Sequence, residues 1–153
     1  MKKLLLGIIL SGTLLALSGN LLAQSAEMGK VFNKYKSKKH FELAEYGTEK
    51  PVWLNLITSN ASFIRIMTCD AKPKSGKYKR FNHDLGKSTE SFRVIFEFSD
   101  KDHFMKVLSS EKDNEGCRNY VIINRLGESE KVIWLYGKTN LKKFVDYLKD
   151  SLL

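Results

Sequence analysis

The sequence predicts an α+β domain, a mainly antiparallel sheet of about four to five strands with an N-terminal and a C-terminal helix packed on it. Three observations carry this expectation. Phe92, Val94, Phe96 and Phe98 alternate with Arg93, Ile95 and Glu97, the two-residue period of a half-buried strand. Two further β-like runs, Arg118 to Arg125 and Lys131 to Tyr136, flank Leu126-Gly127-Glu128-Ser129-Glu130 and read as a hairpin. Both ends of the chain carry apolar residues at helical spacing.

Taken in order, Met28, Val31, Phe32 and Tyr35 fall at i, i+3, i+4 and i+7, one face of a helix, with Ser25 available as its N-cap. Phe41 to Tyr46 reads as a short strand, and Ser62 to Cys69 as a second one closed by Asp70-Ala71-Lys72-Pro73. The stretch from Pro51 to Ile57 is open to two readings. Pro at a first helical turn leans it towards a short helix. From Ala71 to Ser91 the chain is polar and reads mostly as loop, with at most one helical turn around Phe81 to Leu85. Ser99 and Asp102 resemble a capping box, opening a helix with Phe104, Val107 and Leu108 inside. The last element is an amphipathic helix, with Leu141, Phe144, Val145, Leu148 and Leu152 inward and Lys142, Lys143, Asp146 and Lys149 outward.

The first residues have a separate purpose. Lys2 and Lys3 precede an apolar run from Leu4 to Leu17, then Ser18-Gly19-Asn20, and Ala23 stands where a signal peptidase needs a small residue. These are the parts of a cleavable secretory signal over residues 1–23. The run is shorter than the roughly 20 apolar residues of a membrane span. Residues 24–153 remain as a single domain, with no long apolar stretch after Ala23. The expected location is the periplasm or the cell exterior.

Export sets the reading of charge and cysteine. The formal charge is +9, and the excess is clustered in Lys30 to Lys39 and in Lys72, Lys74, Lys77, Lys79 and Arg80. Clustered cations attract polyanions, but an exported protein meets envelope lipids and polysaccharides, so nucleic acid is not an expected partner. Solvation of a soluble surface is the plainer role for the same residues. Cys69 and Cys117, each at a strand end, survive in the delivered chain and are candidates for a disulfide in an oxidising compartment. Two buried free thiols are the alternative.

If the hairpin pairs symmetrically about its five-residue loop, Arg125 faces Lys131. One face is then aliphatic (Val121, Ile123, Ile133, Leu135), and the other collects Tyr120, Trp134 and Tyr136. The aliphatic face belongs against the helices. The aromatic face is either covered or open as a stacking surface for a glycan or an envelope protein.

Chemistry leaves little trace. His40, His83 and His103 share no metal-ligand spacing with one another or with a cysteine. No nucleophile elbow or phosphate loop is present, and a helix cap and a solvated turn account for Asp100, Asp102, Glu111 and Asp113. No catalytic residue, metal or cofactor is expected.

Three segments carry a resemblance: Val31-Phe32-Asn33-Lys34-Tyr35 with Phe41-Glu42-Leu43, Ile64-Arg65-Ile66-Met67-Thr68-Cys69, and Gly137-Lys138-Thr139-Asn140-Leu141-Lys142-Lys143-Phe144. They resemble a family of small secreted proteins of unknown function from Gram-negative bacteria. The segment from Lys72 to Phe98 departs from that pattern. The resemblance implies export and an α+β domain and carries over no functional residue. The expectation is an exported, non-enzymatic binding or interaction module of the envelope, with a cationic polyanion binder as alternative and a small hydrolase behind it.

Overall fold

The computed structural model describes residues 25–47, 49, 61–138, 140, 142, 143, 145, 146 and 150. The expected signal segment and the 51–57 stretch lie outside the described residues. So does most of the expected terminal helix, of which 142, 143, 145, 146 and 150 are helical.

The chain is α+β. Helix α1 covers residues 25–35. It is followed by β1 (Phe41–Tyr46), β2 (Ala61–Cys69), helix α2 (Gly76–Ser88), β3 (Arg93–Ser99), β4 (His103–Ser109), β5 (Arg118–Leu126) and β6 (Ser129–Gly137). The six strands form one sheet in the order β1-β2-β6-β5-β4-β3, and every pair is antiparallel.

Both helices contribute to one face. The apolar stripe of α1 (Met28, Val31, Phe32, Tyr35) and that of α2 (Tyr78, Phe81, Leu85) join Met67, Cys69, Leu108, Val121, Val132 and Trp134 in one buried cluster. Rings knit the layers together: Tyr35 meets Phe81 edge-on at 5.0 Å, and Phe41 meets Phe81 at 5.1 Å. The opposite face carries a second cluster of Ile64, Met105, Val107, Tyr120, Ile122 and Leu135.

Three expectations are corrected. Among the described residues the strand count is six, because residues 103–109 are β4 and not a helix. Asp100 to His103 forms the turn between β3 and β4, with Asp100 N donating to His103 O at 2.8 Å. As an inner strand, β4 buries Leu108 on the helix side and Met105 and Val107 on the other. Apolar residues on both faces erase the alternation and imitate a helical stripe. Second, the expected loop at 71–91 holds a helix of 13 residues, capped by Ser75, whose Oγ accepts from Tyr78 N at 3.3 Å. Third, the hairpin pairs Arg125 with Glu130 and Leu126 with Ser129, so only Gly127 and Glu128 turn. Gly127 has φ +60°, the left-handed value that a tight hairpin assigns to glycine.

The corrected register changes which sets share a face. Val121 now opposes Trp134, Ile123 opposes Val132, and Tyr120 opposes Leu135. The helices therefore sit on a mixed aliphatic and aromatic face. Strand β3 has its own irregularity. Val94 pairs with Leu108 and Phe96 with Val107, leaving Ile95 as a bulge. The bulge turns Phe92 towards the helix-side cluster and Phe96 and Phe98 towards the other.

The expected disulfide is also corrected. Cys69 and Cys117 are free and buried. Cys69 is level with Glu130 of β6, whereas Cys117 lies just beyond Arg118, which is level with Gly137. Seven residues of strand at ~3.3 Å each separate these levels, far more than the ~7 Å Cα limit of a disulfide. Burial also pushes the Cys69 thiol pKa up, so the thiol is held away from its reactive form. Unfolding the unreduced protein in denaturant is expected to release two titratable thiols, and none would contradict this topology.

Candidate functional site

The site begins at the β4–β5 connection, residues 110–117. Asp113 organises it. Its carboxylate accepts from Glu115 N and Cys117 N, both at 2.9 Å, and its own N–H donates to Cys117 O at 2.9 Å. Gly116, at φ +78°, allows the chain to reverse. Tyr136, near the end of β6, donates its hydroxyl to Asp113. That bond holds the Asp113 carboxyl below the usual carboxylate range and pushes the Tyr136 phenol upward.

Asn119 stands behind this loop, buried on β5. Its Oδ1 accepts from Trp134 Nε1 at 3.0 Å, and its Nδ2 donates to Ser25 Oγ at 3.2 Å. This amide thus ties the start of α1 to the sheet. Phe63 completes the wall, stacked on Tyr136 (centroids 5.9 Å apart, 23° between planes) and edge-on to Trp134 at 4.9 Å.

These groups line an open cavity of about 410 Å³, formed by Ser25, Phe63, Asn119 and Tyr136 with Ser110, Glu111, Asp113, Asn114, Glu115 and Cys117 of the loop. The lining has an aromatic wall, a fixed amide, hydroxyls and three carboxylates, and among the described residues it includes no lysine or arginine. Across Ser25 and Phe63 lies a second hollow of about 690 Å³, where Asn33, Glu45, Arg65 and Trp134 are among the lining residues.

The expected aromatic trio is split. Tyr136 reaches the cavity wall. Trp134 is on the same face but is 4% exposed, covered by Phe32 of α1 and by Phe63. Tyr120 is buried on the opposite face. The three do not make one surface, because the hairpin register differs by one residue from the symmetric pairing. Lys72 and Lys74 lie in the turn before α2, and Lys77, Lys79 and Arg80 lie on its exposed side. None of the three histidines lines the cavity. His103 bonds Asn124 Oδ1 through Nε2 at 2.8 Å, and His40 and His83 are exposed. Among the described residues no three His, Cys, Asp or Glu side chains converge as metal ligands.

A second polar cluster centres on a buried carboxylate. Arg125 Nη1 donates to Tyr78 Oη at 2.7 Å, and Tyr78 Oη donates to Glu130 Oε2 at 2.7 Å. Glu130 is 1% exposed, and its Oε1 has no hydrogen-bond partner among the described residues. Burial raises the pKa of Glu130 and pushes that of Tyr78 up to about 12.

Sequence reasoning missed Ser25, Phe63 and Asn119 as cavity residues because they come from three distant elements. Asp113-Asn114-Glu115-Gly116 did carry a turn signal, an Asp whose side chain bonds the backbone ahead of a left-handed glycine. No protein-family model matches the chain, and a search of curated proteins found no match. No helix among the described residues is long and apolar enough to cross a membrane.

The Asp113 loop has a testable pH response. A depressed folded pKa means that its bonds contribute stability above the ordinary value of 3.8 and lose it as pH falls through the folded value. Protection of the Glu115 and Cys117 amides from hydrogen exchange is therefore expected to drop below about pH 4. Tyr136→Phe removes the bond that lowers the pKa most, so it should raise the pH of that onset. Unchanged protection factors from pH 6 to pH 2 would refute this account of the loop.

Proposed function

We propose that this protein is an exported, non-enzymatic binding domain of the bacterial cell envelope, and that the cavity between the 110–117 loop and the start of α1 seats a hydroxyl-rich, uncharged glycan. The observation that carries the reading is the cavity lining. A sugar ring presents an apolar C–H face and a rim of hydroxyl donors. The stacked Phe63–Tyr136 pair offers a flat wall to the first, and the carboxylates of Asp113, Glu111 and Glu115 offer acceptors to the second, on a rim that the bonded Asn119 amide holds in place. The three carboxylates repel anions, which disfavours polyanions at this place.

Support for binding rather than catalysis comes from the hydroxyl at the site. Tyr136 is driven away from ionisation by its bond to Asp113, which makes it a poor base or nucleophile. A hydrolase would need a histidine beside a carboxylate here, and the lining offers the carboxylate alone. The N-terminal 23 residues are read as the export signal, and the resemblance to small secreted proteins is part of the same proposal.

Calorimetric titration of residues 24–153 with chitotriose and maltotriose tests it. Saturable binding to at least one, lost at least ~10-fold in Tyr136→Ala, is the expected result. No binding at millimolar sugar, or binding that Tyr136→Ala leaves intact, would overturn it.

A further inference from the structure

The fold brings together two basic segments that lie about forty residues apart in sequence. Residues 24–40 hold five lysines against one glutamate, net +4. Residues 70–90 hold five lysines and one arginine against three carboxylates, net +3. Together they account for +7 of the formal +9, and the other two belong to Lys2 and Lys3. The remainder of the chain is neutral in sum. These two segments are α1 and α2 with their flanking turns, and α1 and α2 pack on the same face of the sheet. Asp84 of α2 ties them together, accepting from Lys34 Nζ at 2.6 Å and from Tyr35 Oη at 2.8 Å. The two basic segments thus lie on one side of the sheet.

The chemistry of that layer narrows its partner. Lys36, Lys39, Lys72, Lys74, Lys77 and Lys79 are exposed, and none is in a salt bridge with another described residue. Tyr35, Tyr78 and Phe81 point inward and are at most 7% exposed, so these rings offer no platform for stacking nucleobases. Ten of the eleven cations are lysine, a point charge on a flexible stem rather than a planar fork for one phosphate. Many charges on flexible stems, spread over α2 and the turns that flank α1 and α2, match a diffuse, planar array of negative charge.

We propose that the helical layer is a docking face for an anionic lipid bilayer, held by electrostatic attraction without insertion of apolar side chains. This surface is separate from the cavity and stands or falls independently of it. Each lysine near an anionic surface contributes about a 5-fold gain in partition, and salt screens the attraction within about 10 Å at 0.1 M.

Co-sedimentation of residues 24–153 with vesicles is the test. Binding is expected to vesicles of phosphatidylglycerol and phosphatidylcholine but not to phosphatidylcholine alone, and it should fall at least ~10-fold between 50 and 300 mM salt. Lys77→Glu with Lys79→Glu should weaken it at least ~10-fold. Lys101→Glu with Lys131→Glu makes the same change in net charge away from the helices and should leave it within ~2-fold. Circular dichroism of both variants checks that they are folded. Equal loss in the two variants, equal binding to neutral vesicles, or retention by soluble heparin with none by anionic vesicles would each overturn the proposal.

Discussion

Trp134→Ala is expected to destabilise the protein by about 3–5 kcal/mol, the range for removing a large buried ring. Trp134 is the point at which three elements meet. Phe32 of α1 lies against it at 5.6 Å, Phe63 of β2 meets it edge-on at 4.9 Å, and Arg65 stands over the ring at 5.4 Å. Its Nε1 also donates to Asn119 Oδ1, so the substitution leaves that buried oxygen with the longer bond from Ser25 Oγ alone. Trp134→Phe separates the two contributions. It keeps most of the packing and loses the hydrogen bond, at about 0.5–1.5 kcal/mol plus a smaller cavity cost. Urea unfolding followed by circular dichroism measures both. A loss below about 1 kcal/mol for the alanine variant would mean that α1 does not rest on this ring.

Glu130→Gln is expected to stabilise the protein at pH 8 by about 1–3 kcal/mol while changing little at pH 4. The sign follows from burial. The folded-state pKa of Glu130 is raised, so the folded protein binds the proton more tightly than the unfolded chain does. The associated stability is present below the ordinary value of 4.5 and is lost as pH rises through the folded pKa. Glutamine keeps an acceptor for the Tyr78 hydroxyl and removes the charge stranded at Oε1. The wild-type protein should therefore lose stability with rising pH over a range in which the variant is flat. A wild-type curve that rises through the same range would contradict the assignment.

The α1 stripe was legible because Met28, Val31, Phe32 and Tyr35 all point one way, and the structure buries all four. Strands β1 and β2 and the hairpin strands were legible through their β-rich runs. Helix α2 was not, since Tyr78, Phe81 and Leu85 are only three apolar anchors among lysines and two glycines. Tertiary contact with Tyr35 and Phe41 stabilises it beyond its own weak propensity. Strand β4 was misread because both of its faces are buried. In the hairpin the error was a single residue of register, enough to send Tyr120 and Trp134 to opposite faces. For the cavity, Tyr136 and the turn at Asp113 were visible beforehand, whereas Ser25, Phe63 and Asn119 become neighbours only through strand order and the packing of α1.

The glycan seat is tested most directly by amide and aromatic shift mapping on labelled protein titrated with chitotriose and maltotriose. The account predicts dose-dependent shifts centred on Phe63, Asn119, Tyr136 and the 110–117 loop, with the exposed lysines of α2 unmoved. Shifts confined to the α2 lysines, or none at millimolar sugar, would contradict it.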